Sequence, residues 1–201
     1  MSVKRTQSEK GQTFFCSFTC LDWISLFEIT SLYDEIYRWF NLLIKDNHQI
    51  LAFVIMPNHL HLLVHINQPE KSINTILANG KRFLAYEIVK RLEEQGNQPM
   101  LKKLGEAVTQ EERQRKKKHR VFQPSSDIKP CYTEKFAIQK LDYIHFNPTK
   151  AKWNLADDFT KYAHSSVLFY ELHVQHPKIQ ITHYKDAGAP SRIVPEAGDD
   201  T

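Results

Sequence analysis

FVIMPNHLHLLVHI, residues 53–66, is the stretch on which the reading of this chain turns. An apolar run, QILAFVIM over 49–56, stops at Pro57-Asn58 and resumes as HLHLLVHI over 59–66. Each half has strand length, and the Pro-Asn interruption predicts a hairpin or a strand pair bent at Pro57. Side chains alternate between faces along a strand. His59, His61 and His65 therefore share one face, while Leu60, Leu62 and Val64 point into a core. His59 and His61 lie roughly 6.5–7 Å apart at Cα, so both rings can reach one ion. Two adjacent imidazoles on an apolar strand are costly unless they have partners. A bare His-x-His also fits two satisfied histidines on a sheet face, so the flanking chain has to decide.

Working outward, TFFCSFTC over 13–20 is rich in β-branched and aromatic residues and reads as a strand. Residues 30–46 place Leu32, Ile36, Trp39, Phe40 and Leu43 at helical spacing, with Thr30 or Ser31 as cap. A second long helix covers 72–93 from a Ser72 cap, with Gly80 in its middle allowing close approach of a backbone or a nucleic acid. Residues 94–112 read as a polar connection with some helical character, HRVFQ over 119–123 as a short strand and PSSDIKP as a loop. A third helix runs over 133–148, capped by Thr133 and ended by Pro148. Strand, helix, strand, strand, helix is the pattern of an α+β ferredoxin-like or RRM-like sandwich, an antiparallel sheet with helices on one face. The expected organisation is one domain over 13–184, between a flexible N-terminus (1–12) and a flexible Gly/Pro/acid-rich tail (185–201).

Composition bounds the function. Hydrophobic residues make up 41% and charged residues 25% of 201, which fits a globular domain rather than a disordered chain. No apolar run approaches the roughly 20 residues of a membrane span, and MSVKRTQSEKGQ lacks the apolar segment of a secretory signal. No membrane partner and a cytoplasmic location are expected. Cys16, Cys20 and Cys131 form no metal-binding pattern; the first two read as small core residues. A net charge of +4 permits a nucleic-acid partner without demanding one. RQRKKKHR over 113–120 concentrates that charge, placing Arg115, Lys116, Lys117, Lys118 and Arg120 as candidate phosphate contacts; alone, such a run is more often a solvated loop or helix end.

LDYIHFNPTKA over 141–151 supplies the second decisive block. Tyr143 and Asn147 are four residues apart, on one helical face. A lone tyrosine at a helix end is usually packing, and His145 reads as a surface residue that could touch DNA. Together, however, FVIMPNHLHLLVHI and the Tyr-Ile-x-x-Asn-Pro block resemble the REP-associated tyrosine transposases, a bacterial branch of the single-tyrosine HUH transposases. The resemblance extends over about residues 13–170, including FFCSFTCLDWISLF near the start and HSSVLFYE at 164–171. It implies that His59, His61 and Asn147 hold a divalent ion, Mg²⁺ or Mn²⁺, and that Tyr143 is the nucleophile on a helix near the His-x-His strand. His65 lies outside the motif, as a supporting or structural residue. KRFLAYEI over 81–88 falls where the family has a basic helix segment, which adds Lys81 and Arg82 to the DNA-contacting candidates. The implied activity is nicking and joining of single-stranded or hairpin DNA through a 5′-phosphotyrosine, by a monomer or homodimer. Departures are Phe122-Gln123 where the family often has Trp-Gln, and Ala151-Lys152-Trp153 where a Gly commonly follows. Alternatives are a domesticated or inactive protein that binds repetitive hairpins, an RRM-like binding module, and a metal hydrolase that activates water.

Overall fold

The computed structural model describes residues 11–67 and 71–189; of the ends expected to be flexible, 1–12 and 185–201, residues 1–10 and 190–201 lie outside the described residues, and Gln12 already belongs to the first strand. Strand β1 (Gln12–Thr19) leads through a short helix α1 (Leu26–Ile29) to α2 (Tyr33–Lys45), then to β2 (Gln49–Ile55) and β3 (His59–Ile66). The helix α3 (Ile73–Glu94) follows, then α4 (Gln98–Glu106), α5 (Gln110–Gln114), β4 (Asp127–Pro130), α6 (Glu134–His145) and α7 (Val167–Leu172). The strands form one antiparallel sheet in the order β2-β3-β1-β4, the ferredoxin-like arrangement.

Binary patterning sorts the two faces. Cys16, Phe18, Leu60, Leu62 and Val64 point to one face, where α2 and α3 close the main core with Ile36, Phe40, Leu77, Leu84 and Ile88. The opposite face carries Phe15, Val54 and Leu63, against which α6 lays Leu141 and Ile144. Helices thus cover both faces, not one as expected. β2 is buried along its whole length, and such a strand has apolar side chains to offer in both directions. A bulge between Ile50 and Ala52 turns both Leu51 and Ala52 toward α6 while Ile50 and Phe53 stay with α2 and α3. The two cysteines expected in the core are there, and burial pushes both thiols far above their ordinary pKa.

Ser72 and Thr133 cap α3 and α6 as expected, each accepting from a backbone N–H of the first turn, but local expectations fail at the α2 cap and at the short edge. Leu32, not Thr30 or Ser31, stands at the α2 N-cap; Thr30 Oγ1 instead donates to Leu26 O at 2.6 Å, and Ser31 adopts φ 47°. The α1 turn, which no periodicity announced, consumes both candidate caps. The predicted 119–123 strand is a single bridge between Cys20 and Phe122, and the strand lies in the segment read as a loop. Its four residues end at Pro130, a residue tolerated on an edge. The 94–112 connection contains α4 and α5. The third helix ends at His145, and Asn147–Thr149 form a separate 3₁₀ turn. Gly80 serves a close approach, but of the Trp39 side chain rather than of a backbone or a nucleic acid: a Cβ there would run into the indole. Residues 185–189, read as the start of the tail, keep contact with the sheet: Gln49 accepts from Gly188 N at 2.8 Å and donates to Ala189 O at 2.8 Å. No helix among the described residues is long and apolar enough to cross a membrane.

Candidate metal and nucleophile site

β3 positions the pair of histidines by register. His59 lies opposite Thr19 and His61 opposite Ser17 on β1, with Val54 of β2 on the other side of His61. The rings point to the α6 face, with centroids 4.8 Å apart. Both are deeply buried, at 3% and 6% exposure. His61 stacks on Phe15 at 5.7 Å, and neither of its ring nitrogens has a hydrogen-bond partner among the described residues. An unsatisfied buried polar group costs on the order of 1–3 kcal/mol, which favours a ligand at this ring.

The hairpin corner sets the tautomer of His59. Asn58 Nδ2 donates to the Trp23 carbonyl at 2.7 Å, so its Oδ1 faces His59 Nδ1, also at 2.7 Å. His59 therefore carries its proton on Nδ1 and presents a lone pair on Nε2, the arrangement that metal-binding histidines favour. Burial, with Lys152 and Lys150 adding to it, depresses the His59 pKa to about 4. Burial likewise holds His61 well below its ordinary value, helped by His59, Lys150 and Lys140. Both rings are neutral at pH 7 and available as ligands.

Helix α6 brings the tyrosine. Leu141 and Ile144 anchor the helix to the sheet, while Tyr143 remains 40% exposed. Its ring sits edge-on to His61 with centroids 5.0 Å apart, and 6.0 Å from Phe15. Lys150 Nζ lies 3.7 Å from the Tyr143 ring centroid and Lys140 Nζ 5.5 Å from it. Burial lowers the Lys150 pKa. Asn147, in the turn after α6, is 2% exposed with Oδ1 unpartnered among the described residues. The same segment continues to Trp153, whose ring is 4.9 Å from that of His59. The neutral imidazoles of His59 and His61 and the unpartnered amide oxygen of Asn147 are donor types that suit a divalent ion. Among the described residues no group of three His, Cys, Asp or Glu gathers for a metal, here or elsewhere.

Other candidates fall elsewhere. His65 accepts or donates at Nδ1 with Thr13 Oγ1, 2.9 Å away, and its Nε2 is walled by Gly11 and Gly188. His145 is buried, not surface-exposed: its Nε2 bonds Ser166 Oγ at 2.9 Å, because it lies on the inner side of α6. Lys81 reaches Gln123 O at 2.8 Å and Ser126 Oγ at 3.2 Å, holding the loop that leads to β4. Glu112 binds Lys117 at 2.8 Å and Arg120 through two nitrogens at 2.9 and 2.7 Å. Arg82, Arg115, Lys116 and Lys118 are exposed and make no ion pair among the described residues. The basic run leads out of α5 and returns beside α4, where Arg120 N donates to Leu104 O; Leu101 and Leu104 of α4 pack in the α2/α3 core, on the far side of the sheet from Tyr143. Lys140 and Lys150 lie beside the tyrosine and Lys152 near His59, and none of the three stood out in the sequence. Lysines scattered over a helix and a turn show no local cluster.

An antiparallel α+β sandwich with a histidine pair under a tyrosine helix is the class of architecture defined here. No protein-family model matches the sequence, and no curated protein matches it. Among solved structures, the chain overlays on the structure of a REP-associated tyrosine transposase bound to a REP hairpin with a TM-score of 0.54. That overlay covers 95% of this chain and 99% of the other at 15% sequence identity, and it shows a shared fold. A crystal structure from Deinococcus radiodurans R1, provisionally described as a transposase, overlays over 72% of this chain and 95% of its own at 15% identity, with a TM-score of 0.39.

Proposed function

We propose that this protein is a single-tyrosine HUH transposase of the REP-associated type: a metal-dependent enzyme that nicks and joins single-stranded DNA at hairpin-bearing repeats. The observation that carries this reading is the Tyr143 ring, half exposed and 5.0 Å from a buried histidine that has no partner on either nitrogen. In this reading His59, His61 and Asn147 hold Mg²⁺ or Mn²⁺. Such an ion supplies charge withdrawal from a phosphate oxygen and lowers the barrier to attack.

The chain's own residues do the rest. Asn58 holds His59 in its ligand tautomer, and Phe15 fixes the ring of His61. Lys140 and Lys150 flank the tyrosine with positive charge where a phosphate would approach. The Tyr143 oxygen forms a bond to phosphorus as the bond to the 3′ oxygen breaks. The phenol proton passes to solvent, and the departing oxygen leaves as a 3′-hydroxyl after taking a proton. The product is a 5′-phosphotyrosine, and reversal by a second 3′-hydroxyl joins strands without ATP. Arg82, Arg115, Lys116 and Lys118 are the exposed cations offered to more distant phosphates, with Lys81, Lys117 and Arg120 shaping the segments that carry them. Neutralising the exposed four should lower the log–log salt slope of binding by about 0.7 per lost phosphate contact.

The test is covalent capture. The protein is incubated with 3′-labelled hairpin DNA and Mn²⁺, then denatured in detergent. Label that stays with wild type, is released by protease and is absent from Tyr143→Phe is the expected result. An adduct in Tyr143→Phe would move the nucleophile elsewhere, and nicking without any adduct would make a water-activating nuclease the better reading.

A further inference from the structure

Beside His59 lies a surface that the nicking chemistry does not use. Trp23 is 47% exposed, with its ring 5.5 Å from His59 and 5.7 Å from Trp153. Trp153 lies 4.9 Å from the same histidine. Lys152 Nζ sits 4.5 Å from the Trp23 ring and 4.7 Å from that of Trp153. The backbone at Asp22 and Trp23 is left-handed, φ 49° and 59°, a conformation costly for a bulky residue and found where function holds it. The Trp23 carbonyl is tied to Asn58, the residue that orients His59. The indole is therefore fixed relative to the histidine pair while its surface remains open to solvent.

We infer that Trp23, backed by Trp153 and Lys152, is a stacking platform for one nucleobase of single-stranded DNA next to the phosphate held at His59 and Tyr143. This rests on the proposed function and adds a base-binding position to it. An exposed indole meets a base face to face, and any base has such a face. Lys152, whose Nζ lies over both indole rings, neutralises the adjoining phosphate and contributes a cation–π contact. The platform recognises an unpaired, splayed base; a base inside a duplex has both faces covered by its neighbours. It thus selects single-stranded over duplex DNA at the point of cleavage without reading sequence.

The experiment uses the full chain carrying Tyr143→Phe, which removes turnover. Affinity is measured by fluorescence anisotropy for a short thymidine oligonucleotide and for an abasic strand with the same number of phosphates. Trp23→Ala should weaken binding of the thymidine strand by about fivefold to a hundredfold and leave the abasic strand unchanged, with circular dichroism as in the parent. Trp23→Phe should restore most of the difference. Tryptophan fluorescence should be quenched by the thymidine strand in the parent and much less in Trp23→Ala. An unchanged ratio between the two strands in Trp23→Ala overturns the platform; if wild-type protein still forms the Tyr143 adduct, the nicking reading survives that loss. Conversely, a ratio that falls in a protein forming no adduct keeps the platform and removes the enzyme.

Discussion

The two ends of β3 present buried histidines on the same face of the same strand in different surroundings. At one end His61 has no internal partner, lies among aromatic rings and lysines, and faces a half-exposed tyrosine. At the other end His65 bonds Thr13, and two glycines bring the backbone against its ring. Burial lowers the pKa at both ends, so a depressed pKa alone does not distinguish them. What distinguishes them is the surrounding chain. Around His65 the side chains of Thr13 and Asn67 and the backbone of two glycines hold the ring and fill the space about it. Around His59 and His61 the neighbours are side chains that bind charge or stack.

The largest expected contrast follows directly. His61→Ala should abolish Mn²⁺-dependent nicking of hairpin DNA, whereas His65→Ala should keep it and lower thermal stability. Equal losses in both variants, measured by gel assay beside thermal melts, would erase the functional distinction between the two ends. Next in size is the orienting contact. Asn58→Ala should weaken Mn²⁺ affinity by about 10–100-fold, since it frees the His59 tautomer. Thr13→Ala, which removes the corresponding contact of His65, should leave metal affinity unchanged; calorimetric titration reads both.

Acid should affect both ends, but metal only one. An unfolded histidine takes up its proton around pH 6.5, while folded His59 does so only near pH 4. The unfolded state binds more protons between these values, so the stability present above pH 6.5 is lost as pH falls through that window. His59→Gln and His65→Gln should each flatten the fall in Tm between pH 7 and 5. Added Mn²⁺ should raise Tm at pH 7 in wild type and His65→Gln, and not in His59→Gln. A rise in His59→Gln would place the ion elsewhere.

The smallest effect belongs to the wall of His65. Gly188 has φ 83°, and a Cβ there would stand 3.2 Å from the imidazole. Gly188→Ala should cost about 1 kcal/mol, or a Tm shift of roughly 2–4 °C, with nicking rates intact. A loss of nicking would show that the two ends are coupled through β3.

Much of this was legible in the chain because period and spacing survive folding. Alternation along 59–66 put Leu60, Leu62 and Val64 in the core and the histidines opposite them, and helical spacing located α2 and α3. Tyr143 and Asn147 stood out through the likeness of their Tyr-Ile-x-x-Asn-Pro block, taken with His59-Leu60-His61, to the REP-associated tyrosine transposases; spacing alone would have left the tyrosine as packing. The four-residue β4 did not, since an edge strand that short has no periodicity of its own and exists by pairing with β1. The face chosen by α6 was also undetermined: a strand apolar on both sides, like β2, accepts helices on either. Trp23, Lys150 and Lys152 stand far from His59 in sequence and no spacing ties them to it, so only the tertiary packing brings them together. Residue type and periodicity determine which side chains can bind a metal or attack a phosphate. Which of them meet, and which cations and rings surround them, is set by long-range contacts that no local pattern encodes.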